Sequence, residues 1–281
     1  MDNQPQDKYG YDEAIQNTIA EQQENNTHGA LMILNTLIDK YEANPYVDDD
    51  KAEYRYFDNP LEAVLYQVMA EPTKEVEQMD RNFGYMYALR GMLLFNDDKQ
   101  KAIESLELAH SLTPSEPKIF FEIAEDYRVL ENWDEFLAYT RKAWEISYLT
   151  EDVAQVFRNF AVYYLSHDDI DFAAQLLFIS LAYEQDSDMA QSTLSQIAEV
   201  TGKEPTQPDD DTGARLEKEN IPAMANHTVI QVAMDLGRSA LEEGFPTQAQ
   251  ELFQIVYNLT GDDAVQKMIA DLPAADANPE V

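Results

Sequence analysis

The chain of 281 residues has no cysteine, which excludes a disulfide framework, a thiolate metal site and a cysteine nucleophile. Basic residues are scarce: 19 Lys and Arg stand against 54 Asp and Glu, a formal charge of −35. Binding to a phosphate backbone relies on clustered cations that release counterions, so nucleic acid is disfavoured as a partner, and an anionic membrane surface on the same ground. Glycine is also sparse, at nine residues, and no stretch shows the β-rich alternation from which a sheet is built. No run approaches the roughly 20 apolar residues of a membrane span. Segment 1–7 carries neither a basic nor an apolar stretch, so a cytoplasmic protein is expected. The four histidines, His28, His110, His167 and His227, lie far apart and none makes a His-Glu-x-x-His pair; a glycine-rich phosphate loop is missing too. No metal, no cofactor and no catalytic activity are therefore expected.

What the chain does have is apolar residues at helical spacing, in four stretches that repeat one pattern. Segments 83–116 and 117–150 are 34 residues each. The first carries Met86, Leu89 and Leu93, then Ala102, Leu106, Ala109 and Pro114; the second carries Phe120, Ile123, Ala124 and Tyr127, then Phe136, Tyr139, Ala143 and Ile146. A third copy has Phe157, Phe160, Ala161 and Tyr164, followed by Ala173, Leu177 and Tyr183. A fourth has Ala233, Leu236, Gly237, Ala240 and Gly244, then Ala249, Phe253, Val256 and Leu259.

This pattern resembles the tetratricopeptide repeat, a family of helix-turn-helix units about 34 residues long. Leu236-Gly237, Gly244, Ala249 and Phe253 match its motif, as do Trp133, Ala143, Ala102, Ala109 and Pro114; Arg90 and Arg158 stand at or near its crowded first-helix glycine, and Phe136 where a small residue is usual. The resemblance implies an all-α fold, an α-α superhelix or solenoid of helical hairpins, that binds protein or peptide partners on the concave side lined by first helices.

Breaks in the helical pattern divide the chain. Residues 1–10 are expected to be disordered. Residues 11–200 form the solenoid, with a hairpin at 11–41 and an aromatic insertion near 44–59. Residues 201–222, with two prolines and the Asp209-Asp210-Asp211 run, read as an exposed acidic linker. Residues 223–272 are a C-terminal hairpin plus a cap, and 273–281 a disordered tail.

Helical projection places Gly84, Tyr87 and Gly91 on the ligand-facing side of one first helix and Lys118, Phe121, Glu125 and Arg128 on that of the next. The candidate peptide-binding residues are Tyr87, Lys118, Phe121, Arg128, Arg158, Asn159 and Arg238. Tyr87 and Phe121 serve as apolar anchors and the arginines as carboxylate binders. Two functions stay open: a non-catalytic scaffold or adaptor that captures a peptide or protein segment on the concave face, or a regulatory or structural subunit that oligomerises or binds a basic partner through its acidic exterior. Charge yields a direct test. Like charges repel most in the compact state, so raising salt to about 0.15 M, where the Debye length is near 8 Å, is expected to raise the melting temperature. A flat or falling response shows that the carboxylates are mainly paired or capping.

Overall fold

Asn and Asp side chains set where half of the helices among the described residues begin. An amide at the first turn has no partner in its own helix, and a short polar side chain just before it accepts that hydrogen bond. In the computed structural model, which describes residues 7–273, Asn26 accepts from Gly29 N, Asn59 from Glu62 N, Asn82 from Tyr85 N and Asp98 from Lys101 N. Asp169, Asn226 and Asp262 act likewise further on. The first compact unit, ending at Asn132, contains α1 (Tyr11–Gln23), α2 (Thr27–Glu42), β1 (Ala52–Arg55), α3 (Pro60–Ala70), β2 (Glu75–Gln78), α4 (Phe83–Leu94), α5 (Lys99–Leu112) and α6 (Pro117–Val129). The second, beginning at Trp133, contains α7 (Trp133–Ile146), α8 (Thr150–Ser166), α9 (Ile170–Tyr183), α10 (Asp188–Thr201), α11 (Thr212–Lys218), α12 (His227–Glu242), α13 (Pro246–Thr260) and α14 (Asp263–Ala270).

The fold is all-α, of tetratricopeptide-like hairpins. In the first unit α1 packs on α2, α2 on α4, α4 on α5 and α5 on α6. In the second α7 packs on α8, α8 on α9 and α9 on α10, while α12, α13 and α14 pack in sequence. Glycine explains the close approach in two pairs. A Cβ on Gly84 would lie 2.8 Å from the Ala109 carbonyl oxygen, one on Gly91 2.7 Å from Leu106 Cγ, and one on Gly237 2.5 Å from Phe253 Cε1. Beside the α4 seam, Phe83 is fully buried, stacked on Tyr41 at 4.4 Å between centroids and met edge-on by Tyr9 and Tyr11.

Three features differ from the sequence reading. First, β1 and β2 form a two-stranded parallel sheet, with α3 in the crossover that parallel pairing requires. Four residues per strand are too few for alternation to register. Second, part of segment 1–10 is ordered: the Asp7 carboxylate accepts from Tyr11 N and Asp12 N, and buried Tyr9 donates its hydroxyl to the Asn44 carbonyl. Residues 1–6 and 274–281, the rest of the expected disordered ends apart from Pro273, lie outside the described residues.

Third, 201–222 is a strap rather than an exposed linker. Gly202, at φ 67°, ends α10, and the chain then runs back over α9 and α7. Thr206 donates to Asp171; Arg215 pairs with Asp169 and lies 3.9 Å over the Phe172 ring; Leu216 and Ile221 are buried. Arg141 donates to the Asn220 carbonyl within the strap, and just beyond it Trp144 Nε1 donates to the Met224 carbonyl and Asn226 to that of Glu145. Leu216 and Ile221 are isolated in a polar sequence, so no helical period announces them.

The α4–α5 seam predicts a substitution result. Gly84→Ala gains helix propensity but forces a methyl against a backbone oxygen, so a net loss of about 1–3 kcal/mol is expected in urea unfolding. Gly213→Ala, where nothing lies within 4 Å, is the control and should be neutral or mildly stabilising. Equal effects at the two sites would contradict the close approach of α4 and α5.

Candidate functional site

The seam also decides which side of α4 is available. Gly84 and Gly91 are seven residues apart, two helical turns, and so lie on one stripe, the one turned to α5. Tyr85 and Met92, one step further round, are 39% and 44% exposed. Tyr87 points elsewhere. It is buried, its hydroxyl donates to Glu42 Oε1 at 2.9 Å, and the Arg90 guanidinium sits 5.1 Å above its ring. Burial and that bond to Glu42 hold its phenol well above the usual range. Helical projection from sequence puts Gly84, Tyr87 and Gly91 on the ligand-facing side, whereas the seam turns Gly84 and Gly91 to α5 and Tyr87 to Glu42. The pair of glycines seven apart is the signal that identifies Tyr85 and Met92.

On α6, Lys118, Phe121, Glu125 and Arg128 follow a 3, 4, 3 spacing along one face. The Lys118 side chain is exposed and Phe121 is half-buried. Arg128 is engaged by its own helix, donating through Nε and Nη2 to the Glu125 carboxylate at 2.6 and 2.5 Å. Pro117 at the first turn and the Glu116 carboxylate, which accepts from Lys118 N, fix where this face begins.

The remaining three candidates belong to the second unit. Arg158, on α8, is 6% exposed and its guanidinium is engaged at all three nitrogens: it pairs with Glu184, donates to Ser187 Oγ at 3.2 Å and reaches Gln155 Oε1 through Nε and Nη2 at 3.0 and 2.9 Å. Asn159, also buried, accepts from Gln155 Nε2 at 2.7 Å and donates to Thr140 Oγ1 on α7. Together they lock the end of α9 to α8 and α8 to α7. Arg238, on α12, is exposed and reaches Asp235 on its own helix at 3.5 Å. Thus four of the seven candidates lie in the first unit and three in the second, and Tyr87, Arg158 and Asn159 are engaged inside the protein.

Two further features carry polar or ionisable groups. An open cleft of about 370 Å³ lies between α1 and α2, edged by Glu13, Asn17, Met32 and Lys40. Asp126 on α6 is 2% exposed and its Oδ2 accepts no hydrogen bond. Among the described residues, no group of three or more His, Asp or Glu side chains is placed to hold a metal ion, and no helix is long and apolar enough to cross a membrane.

No family model matches the chain, and no curated protein does. Among solved structures, it is similar to a chain in the crystal structure of the APC/C hetero-tetramer Cut9-Hcn1, at 13% identity and a TM-score of 0.38, over 87% of this chain and 45% of that one. It therefore spans less than half the length of that protein. It is also similar to BtubC (BKLC) from P. vanneervenii, at 15% identity and a TM-score of 0.36, over 96% and 95% of the two chains. Neither likeness bears on function.

Asp126 gives a pH prediction. Burial first, then the neighbouring Glu122 and Glu125 charges, push its carboxyl up to about 7, with Lys99 opposing. A folded-state value raised above the unfolded one means that Asp126 favours folding at low pH and that this contribution is lost as pH rises from about 4 through about 7. Asp126→Asn removes the charge at constant shape, so it should stabilise the protein by about 1–3 kcal/mol at pH 8 and by little near pH 4. Melts whose difference stays constant over that range would show that Asp126 keeps an ordinary pKa.

Proposed function

We propose that this chain is a non-catalytic protein-interaction scaffold that captures a peptide or protein segment on the exposed faces of its first helices. The observation that carries the reading is the pair Tyr85 and Met92, large apolar side chains held outward on a helix whose other apolar residues are mostly buried. Their seven-residue spacing matches the way an amphipathic or extended segment offers successive anchors. On α6, Phe121 adds an aromatic anchor and Lys118 a cation suited to a carboxylate. Arg128 and Arg238, engaged only by exposed carboxylates on their own helices, can exchange partners at small cost. Arg158 and Asn159 act in this reading by holding α8 in place rather than by touching the ligand.

One observation favours a second reading, a subunit that meets a basic partner or its own copies through an acidic exterior. Arg55, Arg81, Arg128, Arg158, Arg215 and Arg238 all pair with carboxylates of this chain, which leaves the large acidic excess facing solvent.

Affinity capture from cell extract, quantified by mass spectrometry, separates the two. Tyr85→Ser with Met92→Ser is expected to lose about tenfold or more of the captured partner, while Leu108→Ser, which removes an equally exposed apolar side chain from α5, retains it. Retention by the double variant, with loss on raising salt to about 0.5 M, would instead assign the interaction to the acidic exterior.

A further inference from the structure

The small parallel sheet has one closed edge and one open edge. On the closed side, Tyr54 N donates to Asp48 Oδ1 at 2.9 Å and Asp49 N to the Ala52 carbonyl at 3.0 Å, so the 48–49 turn covers β1. On the inner side, Glu75 N donates to the Lys51 carbonyl and Met79 N to that of Arg55, both at 2.9 Å. Successive peptide groups of a strand point to opposite sides, so the N–H and C=O groups of Val76 and Gln78 face away from β1. Among the described residues, no group pairs with those two donors and two acceptors.

The side chains along that edge are sorted by charge. Register partners in a parallel pair share a face, so Glu53, Arg55, Val76 and Gln78 turn to one side. There Tyr66 of α3 donates to Glu53, and Gln78 donates to the Phe57 carbonyl. Glu75 and Glu77 turn to the other side, two residues apart and exposed. The free edge therefore presents unpaired backbone beside two carboxylates at strand spacing.

An open strand edge is a template for another chain, and proteins commonly blunt it with charge. Here the charge is selective. A second copy would bring Glu against Glu across the new ladder, which is unfavourable, and each copy carries −35. A strand with Lys or Arg at alternate positions gains both the ladder and the ion pairs. We propose that the β2 edge is a β-augmentation site for an extended, basic segment of a partner protein, its backbone pairing with Val76 and Gln78 and its cations with Glu75 and Glu77. This site is separate from the helix faces above, and either can fail without the other.

The test is fluorescence anisotropy with a dye-labelled peptide of alternating Lys and Thr, titrated with the full chain. Binding is expected to weaken about tenfold or more with Val76→Pro, which removes an outward N–H and leaves the β1–β2 ladder its own donors. The same loss is expected when every peptide amide is N-methylated, and when Glu75→Lys and Glu77→Lys are combined. The N-methylated peptide is measured on the unaltered protein, so it decides the matter if Val76→Pro does not fold. A peptide that binds equally well when N-methylated, or equally to Val76→Pro as a folded protein, is held by net charge alone and overturns the proposal. Absence of binding at about 1 mM protein overturns it as well.

Discussion

Two helices of a hairpin approach closely only where a side chain is missing, and in α4–α5 the missing ones are those of Gly84 and Gly91. A Cβ at either position would meet the backbone or core of α5 inside contact distance. With the axes that close, α4 is fixed in rotation. Phe83 and Met86 go into the core, Tyr87 reaches Glu42 on α2, and only Tyr85 and Met92 are left to water among its large side chains. Gly237 against Phe253 does the same for α12–α13, while α8 and α9, which also pack together, carry the fully buried small residues Ala154, Ala161, Ala173 and Ala174. The outward faces of the helices are consequences of these seams, because a rotation of one residue, 100° on a helix, would drive a side chain into the partner helix.

The hairpins were legible because they repeat and because helical period is a strong signal over more than ten residues. Elements that depend on few residues were not. Each strand has four, and the strap is held by Leu216, Ile221, Arg215, the Thr206–Asp171 side-chain bond and α7 side chains that donate to backbone carbonyls at and just past its end, on partners about 35 to 80 positions apart in sequence. The site was legible helix by helix. The face of α6 follows from Pro117 and a regular core stripe. That of α4 is displaced by one residue, because Gly84 and Gly91, not a position beside them, form the seam with α5. What sequence cannot supply is the state of a cation: Arg128, Arg158 and Arg238 read as equivalent until Arg158 is seen buried between Gln155, Glu184 and Ser187.

That difference bears on recognition. An incoming carboxylate competes with a partner each arginine already has. For an exposed pair within one helix the exchange is nearly neutral, since such pairs contribute little. For Arg158 the guanidinium is buried while Glu184 is partly exposed, so the cost lies in opening the packed network that Arg158 makes with Gln155 and Ser187. In the proposed capture of a segment, a carboxylate would therefore be met by Lys118 and Arg128 on α6 in the first unit, or by Arg238 on α12 in the second, with the apolar anchors contributing more than the charges.

The acidic exterior and the open edge of β2 then have a common physical sense. A chain that leaves a strand edge unpaired is exposed to association with its own copies, and a short edge alone does not prevent that. Glu75 and Glu77 oppose edge-to-edge pairing locally, and a charge of −35 opposes it at longer range. Under the proposal the same field would attract a basic segment and raise its encounter rate, so opposition to self and admission of an opposite charge would come from one arrangement. An apolar edge of equal length would make no such distinction, and neutralising the carboxylates would remove both effects together.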